Sequence, residues 1–207
     1  MKARQIAREL ALLSLSQIGG KESAELDELM LASIRTLSSE CEELLETASL
    51  EIKRGENSLL DSETRAADLE SSKNAVREAM ELAKSAINRV GMATELPEFL
   101  QLANQKEVRS YALEILSNVK HNREEIDETL QQSLVSWQLR RLPRIDRDLL
   151  RIAAAEMIYM GTPQQVAINE CVEISKRYSE EGGHRFINGI LRRLSDRLRN
   201  QTVQTSP

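Results

Sequence analysis

HRFINGILRRLSDRLR, residues 184–199, decides the fold class. Wound at about 100° per residue, Phe186, Ile187, Ile190, Leu191, Leu194 and Leu198 share one broad face. Arg185, Asn188, Arg192, Ser195 and Arg199 share another, at spacings of three and four. This is an amphipathic helix, and Asp196 is its one acid. The same period recurs along nearly the whole chain, and strand-like alternation never lasts more than a few residues. The 207 residues are 41 % apolar but only 3 % aromatic. The core is therefore built from Leu, Ile, Ala and Val, and the scarcity of aromatic and β-branched residues argues against a β-rich fold. An all-α fold follows. The length suits one domain, or one domain with an elaboration.

Glycine and proline supply the punctuation. Gly19-Gly20 closes a first helix over 3–18. Residues 22–90 read as an antiparallel helical hairpin that turns at Gly55-Glu56-Asn57-Ser58. Its first arm stacks Leu26, Met30, Leu37, Cys41, Leu44, Ala48 and Ile52 on one stripe, interrupted by Ser33. Its second arm stacks Ala66, Leu69, Val76, Met80, Ala83, Ile87 and Val90, interrupted by Lys73. Pairing the arms hides both stripes. Gly91 ends the second arm, and Pro97 opens a short segment. Helices over 107–134, bending at His121-Asn122, and over 144–160 follow. Thr162 is placed to cap the next helix, with Pro163 at its first position. Gly182-Gly183 precedes the last helix, and residues 201–207 form a polar, disordered tail.

The net charge of −5 conceals a segregation. Residues 1–21 carry four bases against one acid, and residues 138–207 twelve against eight. Residues 22–70 carry four bases against fourteen acids. Basic ends on an acidic chain point to a local polyanion site; solvated helix faces account for the same blocks. In the first helix Ile6, Leu10 and Leu13 face one way, and Arg4 and Arg8 nearly opposite, with Lys2 nearby. If the termini pack together, the two basic helices form one surface. Unpaired N–H groups at the start of the last helix, flanked by His184 and Arg185, would suit a phosphate.

Other chemistry lacks support. Cys171 and His184 have no activating context as nucleophile and base, and a structural cysteine is the simpler account. Two cysteines and two histidines scattered along the chain have no metal-ligand spacing. No Gly-rich phosphate loop is present. The glutamates at 40, 42, 43 and 46 read as a solvated face. No cofactor, metal or catalysed reaction is expected. No apolar run reaches membrane-spanning length and no secretory signal is evident, so a cytoplasmic protein is expected.

VAINECVEISKRYSEEGGHRFINGILRR, residues 166–193, resembles the NusB family of bacterial transcription antitermination factors. ARQIARELALLSLSQI (3–18) is similar to the family's basic first helix, and RLPRIDRDLLRIAAAEMIYM (141–160) to its central helix. Together with 109–135 these cover about two thirds of the chain. The resemblance implies a single domain over 1–200, made of two small helical bundles, with 22–100 as an inserted helical hairpin of the kind cyanobacterial-type members carry. It implies binding to boxA RNA of ribosomal RNA transcripts together with the ribosomal protein NusE, within an RNA polymerase antitermination complex. It implies no membrane and no reaction. Both monomers and homodimers occur in the family.

Carried over by position, Lys2, Arg4 and Arg8 match basic positions of the first helix. Arg185, Phe186 and Asn188 match the RNA-facing block, flanked by His184 and Arg192. Asp146 matches an acidic position assigned to the protein partner. Three departures stand out: Gln5-Ile6 thins the arginine run, Ser16 replaces a common aromatic, and Gly182-Gly183 replaces a polar or acidic pair. Two rival functions remain open. One is a protein scaffold acting through the acidic hairpin without RNA. The other is delivery of RNA to a ribosomal-RNA-modifying enzyme.

Overall fold

The computed structural model describes residues 2–17 and 25–204, with the side chains of residues 2, 95 and 201–204 left aside. Gly19-Gly20 lies outside the described residues. Eight α-helices and one 3-10 turn follow in order: α1 (Lys2–Gln17), α2 (Leu26–Thr64), α3 (Leu69–Ala103), α4 (Lys106–His121), α5 (Arg123–Ser133), the 3-10 turn (Leu139–Arg141), α6 (Arg144–Ile158), α7 (Gln164–Tyr178) and α8 (Gly183–Gln204). No strand occurs among the described residues. The chain divides into two units, residues 1–33 with 103–207, and residues 34–102.

In the first unit α6 is the common partner. α1 and α4 pack on each other and on α6; α5, α7 and α8 form a second group around the same helix. Two small bundles thus share one helix. Leu149, Leu150, Ile152 and the alanines 153–155 are all buried, and each fully buried Leu or Ile contributes about 1.5–3 kcal/mol. Because α6 is covered nearly all round, four of its six charged residues, Asp146, Asp148, Arg151 and Glu156, are buried too. The Arg151 guanidinium donates from Nε and Nη2 to the two Asp127 oxygens, each at 2.7 Å, and from Nη1 to Asp148 at 2.8 Å. The bend at Asn122 separates α4 from α5, as the pattern predicts. α7 begins one residue later than the Thr162 cap implies. The Thr162 hydroxyl lies 3.3 Å from the Tyr111 hydroxyl instead of capping. α8 continues past Arg199 to Gln204, so helix occupies 201–204 where a disordered tail was expected; 205–207 lie outside the described residues.

The second unit is the antiparallel hairpin, with a different turn and a different seam from those expected. α2 runs straight through Gly55 to Thr64, and the turn is Arg65–Asp68. The Ser71 N–H donates to Asp68 Oδ1 at 2.7 Å, which starts α3. Gly55 is a contact residue: a Cβ there would sit 3.4 Å from the Ala79 carbonyl oxygen. Likewise α3 continues through Gly91 and Pro97 to Ala103. Pro97 has no N–H for the carbonyl four residues earlier, that of Ala93. The Cys41 thiol of the facing arm lies 3.7 Å from that oxygen and donates to it.

The seam follows strict three-and-four spacing, through Ile34, Leu37, Cys41, Leu44, Ala48, Glu51, Gly55 and Ser58 on α2. On α3 it runs through Ala75, Ala79, Leu82, Ala86, Arg89, Ala93 and Leu96. All of these are buried or half-buried. Glu51 accepts from Ser85 at 2.9 Å and from Arg89 Nε at 3.0 Å inside it. Ile52, Leu69, Val76, Met80, Ile87 and Val90, expected in the seam, are exposed.

Hydrogen bonding of Ser71 to the Asp68 carboxylate holds its pKa below the ordinary 3.8. A depressed carboxyl stabilises the folded state above its unfolded value and loses that contribution as pH falls through the folded value. Asp68→Asn is therefore expected to keep the cap and blunt the acid sensitivity of hairpin helicity below about pH 4. Circular dichroism against pH checks this.

Candidate nucleic-acid interface

α8 is fastened by its apolar face: Ile187, Ile190, Leu191 and Leu194 are fully buried. Its arginines divide into two sets. Arg193 Nε donates to the Ser133 carbonyl at 2.8 Å, and Arg197 Nη2 to Gln132 Oε1 at 2.6 Å; both close the end of α5. Arg199 donates to Gln164 at 3.2 Å. Arg185 and Arg192 remain exposed, and among the described residues neither forms an ion pair with a carboxylate. Arg192 Nε donates to Asn188 Oδ1 at 3.2 Å, which orients both side chains along one edge. Phe186 is half-buried and meets exposed Trp137 edge-on, with ring centroids 6.0 Å apart. Trp137 lies in the segment before the 3-10 turn, whose backbone Gln131 fixes by donating to the Trp137 carbonyl at 3.0 Å. Sequence reading passed over Trp137, because one aromatic outside any helical period carries no pattern.

Both glycines before α8 have structural causes. Gly182 has φ +85°, a left-handed conformation that side chains disfavour. A Cβ on Gly183 would approach Ser179 Cβ to 2.8 Å, too close to fit. It would also lie 3.8 Å from Asp146 Oδ1. Asp146 is buried, and Oδ1 has no hydrogen-bond partner among the described residues. A carboxylate thus already stands at the positive end of α8, which disfavours a phosphate there. Half-buried His184 follows directly.

The first helix departs further from expectation. Lys2 begins α1. Arg4 is exposed, with its guanidinium 5.2 Å from the centroid of the Tyr111 ring. Arg8, expected to face RNA, is only 2 % exposed. Its Nε donates to both Glu156 oxygens, at 3.0 and 2.9 Å, and its Nη1 to Glu170 at 3.2 Å. Nη2 lies 2.8 Å from Glu156 Oε1 but outside hydrogen-bond geometry. The Tyr111 hydroxyl donates to the same carboxylate. Burial, then that bond, raises the Tyr111 pKa, so the phenol keeps its proton. The Arg8 charge is spent inside the protein.

Nor do the two basic helices merge. Arg4 stands by Tyr111 and Thr162, at the C-terminal end of α6. Gly183 and Asp146 mark its N-terminal end, about 20 Å away along the helix. Cys171 is buried and donates to the Leu149 carbonyl at 3.5 Å; burial pushes its thiol pKa well up. No described helix is long and apolar enough to cross a membrane.

Comparison with known proteins agrees with this architecture. The NusB family profile matches residues 77–196. The transcription antitermination protein NusB of Picosynechococcus sp. is 58 % identical over 95 % of this chain and 94 % of its own. That of Gloeothece citriformis is 56 % identical over 96 % and 95 %. Among solved structures, T. maritima NusB aligns with a TM-score of 0.50 at 20 % identity, over 93 % of this chain and 90 % of its own. A chain from a crystal structure of a plectonemic RNA supercoil aligns over 100 % of both, with a TM-score of 0.53 at 17 % identity. At those identities the two structures speak for the fold alone. The profile and the full-length relatives settle the lineage: the chain belongs to the NusB family of transcription antitermination proteins.

Proposed function

We propose that this protein binds boxA-type single-stranded RNA of ribosomal RNA transcripts jointly with the ribosomal protein NusE, and so keeps RNA polymerase processive through those operons in the cytoplasm. The observation that carries this reading is the α8 edge, where Arg185 and Arg192 are exposed without carboxylate partners beside the Phe186–Trp137 pair. Such cations neutralise phosphates and set register, while exposed aromatic faces receive unstacked bases. Asn188 offers an amide to a base edge once Arg192 turns to a phosphate. Arg4 would add a cation at the other end of α6, and Lys2 is carried over from the sequence alone.

Asp146, the residue expected to serve the protein partner, is buried beside the start of α8, and NusE would meet the surface above it. Two weak contacts, RNA and partner, then give tight joint binding by linkage. The test is fluorescence anisotropy with a boxA-type RNA and a scrambled control, with and without the ribosomal partner, at two salt concentrations. Selective, partner-enhanced, salt-sensitive binding is expected, with Arg185→Ala several-fold weaker. Equal binding to both RNAs would reduce the edge to a general polyanion surface, and an unchanged Arg185→Ala would place the site elsewhere.

A further inference from the structure

The segment between α5 and the 3-10 turn holds two apolar side chains in water. Val135 is 64 % exposed and Trp137 56 %. Ser136 between them has φ +61°, a left-handed conformation that a residue with a Cβ disfavours. Residues held in such conformations cluster at ligand sites. Gln131 then clamps the backbone around Trp137. Its amide donates to the Trp137 carbonyl at 3.0 Å, and its oxygen accepts from the Leu139 N–H at 2.9 Å.

Gln131 also lines a cavity of about 690 Å³ between α5, the 3-10 turn and the start of α6, within the size range of small-ligand sites. Three arginines border it. Arg151 spends its charge on Asp127 and Asp148. Arg140 and Arg147 have no carboxylate partner among the described residues. Arg140 Nε donates to Gln138 Oε1 at 3.0 Å, and Arg147 Nη1 to the Arg140 carbonyl at 3.3 Å, so both guanidinium groups gather at the 3-10 turn. Glu128 stands on the α5 wall and pairs with neither, which leaves the cavity's free charge positive. Trp137 therefore lies between two pairs of free cations. On one side it meets Phe186 of α8, the helix that carries Arg185 and Arg192. On the other side Arg140 follows within about 11 Å of chain.

We propose that this cavity is an RNA subsite. A strand lying along the α8 edge stacks one base on Trp137 and sets the next nucleotide in the cavity, with Arg140 and Arg147 on its phosphate. The proposal deepens the RNA reading above and rests on it. An exposed aromatic ring beside unpaired cations is what single-stranded RNA requires. An acidic protein segment would use the cations and leave the indole idle.

Trp137 is the one tryptophan of the chain, so its fluorescence reports stacking directly. Titration with boxA-type RNA, read by anisotropy and by tryptophan emission at several salt concentrations, tests the proposal. Wild-type emission is expected to be quenched with the same midpoint as the anisotropy. Arg140→Ala with Arg147→Ala is expected to bind about tenfold more weakly at low salt, with the salt slope lower by about 1.4. Arg140→Ala alone, at an exposed position, should lower the slope by about 0.7 and keeps the test decisive if the double variant impairs folding. Unchanged affinity and slope in these variants, while Arg185→Ala still weakens binding, would overturn the subsite and leave the RNA reading in place. So would RNA binding without a change in Trp137 emission. A loss confined to binding of the ribosomal protein would assign the cavity to a protein instead. Failure of the wild type to bind any RNA would overturn both readings.

Discussion

Glu156→Ala is expected to lower the free energy of unfolding by about 3–5 kcal/mol, because it strands a buried guanidinium. Arg8 is 2 % exposed and Glu156 1 %. Removing the carboxylate takes the acceptor of both Nε bonds and of the Tyr111 hydroxyl, and leaves Arg8 only Glu170 at 3.2 Å. The attraction within such a pair barely offsets its desolvation, so replacing both partners costs less than removing one. Arg8→Met with Glu156→Leu is therefore expected to recover most of the loss. Urea denaturation followed by circular dichroism checks both variants. The same experiment on Arg8→Ala decides between the two roles proposed for that residue. A stable Arg8→Ala that only weakens RNA binding would return Arg8 to the RNA surface.

The second large effect belongs to the other set of arginines. Arg185→Glu with Arg192→Glu is expected to reduce RNA affinity on the order of 100-fold at low salt. Each lost phosphate contact removes about 0.7 from the slope of log affinity against log salt, so the pair removes about 1.4. Stability should change by no more than about 0.5 kcal/mol, since both side chains are exposed and neither is held by a carboxylate among the described residues. Anisotropy titrations at several salt concentrations give both numbers. An unchanged salt slope would mean that neither side chain touches a phosphate.

These two predictions divide residues that look alike in the sequence. Arg8 and Arg185 are both arginines on a polar helix edge. Only the fold reveals that Glu156, 148 positions away, claims the first. Helix order, the Asn122 bend and the broad apolar face of α8 were legible because a 3.6-residue period and large aliphatic side chains report burial directly.

The hairpin was legible as a hairpin but not in its turn or its seam. Gly55 looks like a helix breaker, yet it serves as the point where α2 approaches Ala79. The α3 seam is mostly alanine, whose short side chain carries little hydropathy signal. Met80 and Ile87 carry a strong one, and they face outward. Amphipathic pattern alone cannot tell a face hidden within a hairpin from one that stands exposed. Tyr111 and Trp137 were missed as site neighbours for a related reason: what matters about them is which ring or carboxylate they meet, not their spacing.

The strict seam of the hairpin also bears on how this part of the chain can vary over evolution. Its ends are fixed where α2 leaves the first unit at Ser33 and α3 returns at Ala103. Between them, each whole heptad added to both arms would extend the hairpin by about 10 Å and keep every seam residue inward. An insertion of one or two residues in one arm alone would rotate everything beyond it by about 100–160° and bring charged side chains into the alanine contacts, whereas three or four only over- or underwind the arm locally. Viable lengths of this segment should therefore be quantised, with relatives differing by paired steps of three, four or seven residues, while the helices around α6 keep a constant length.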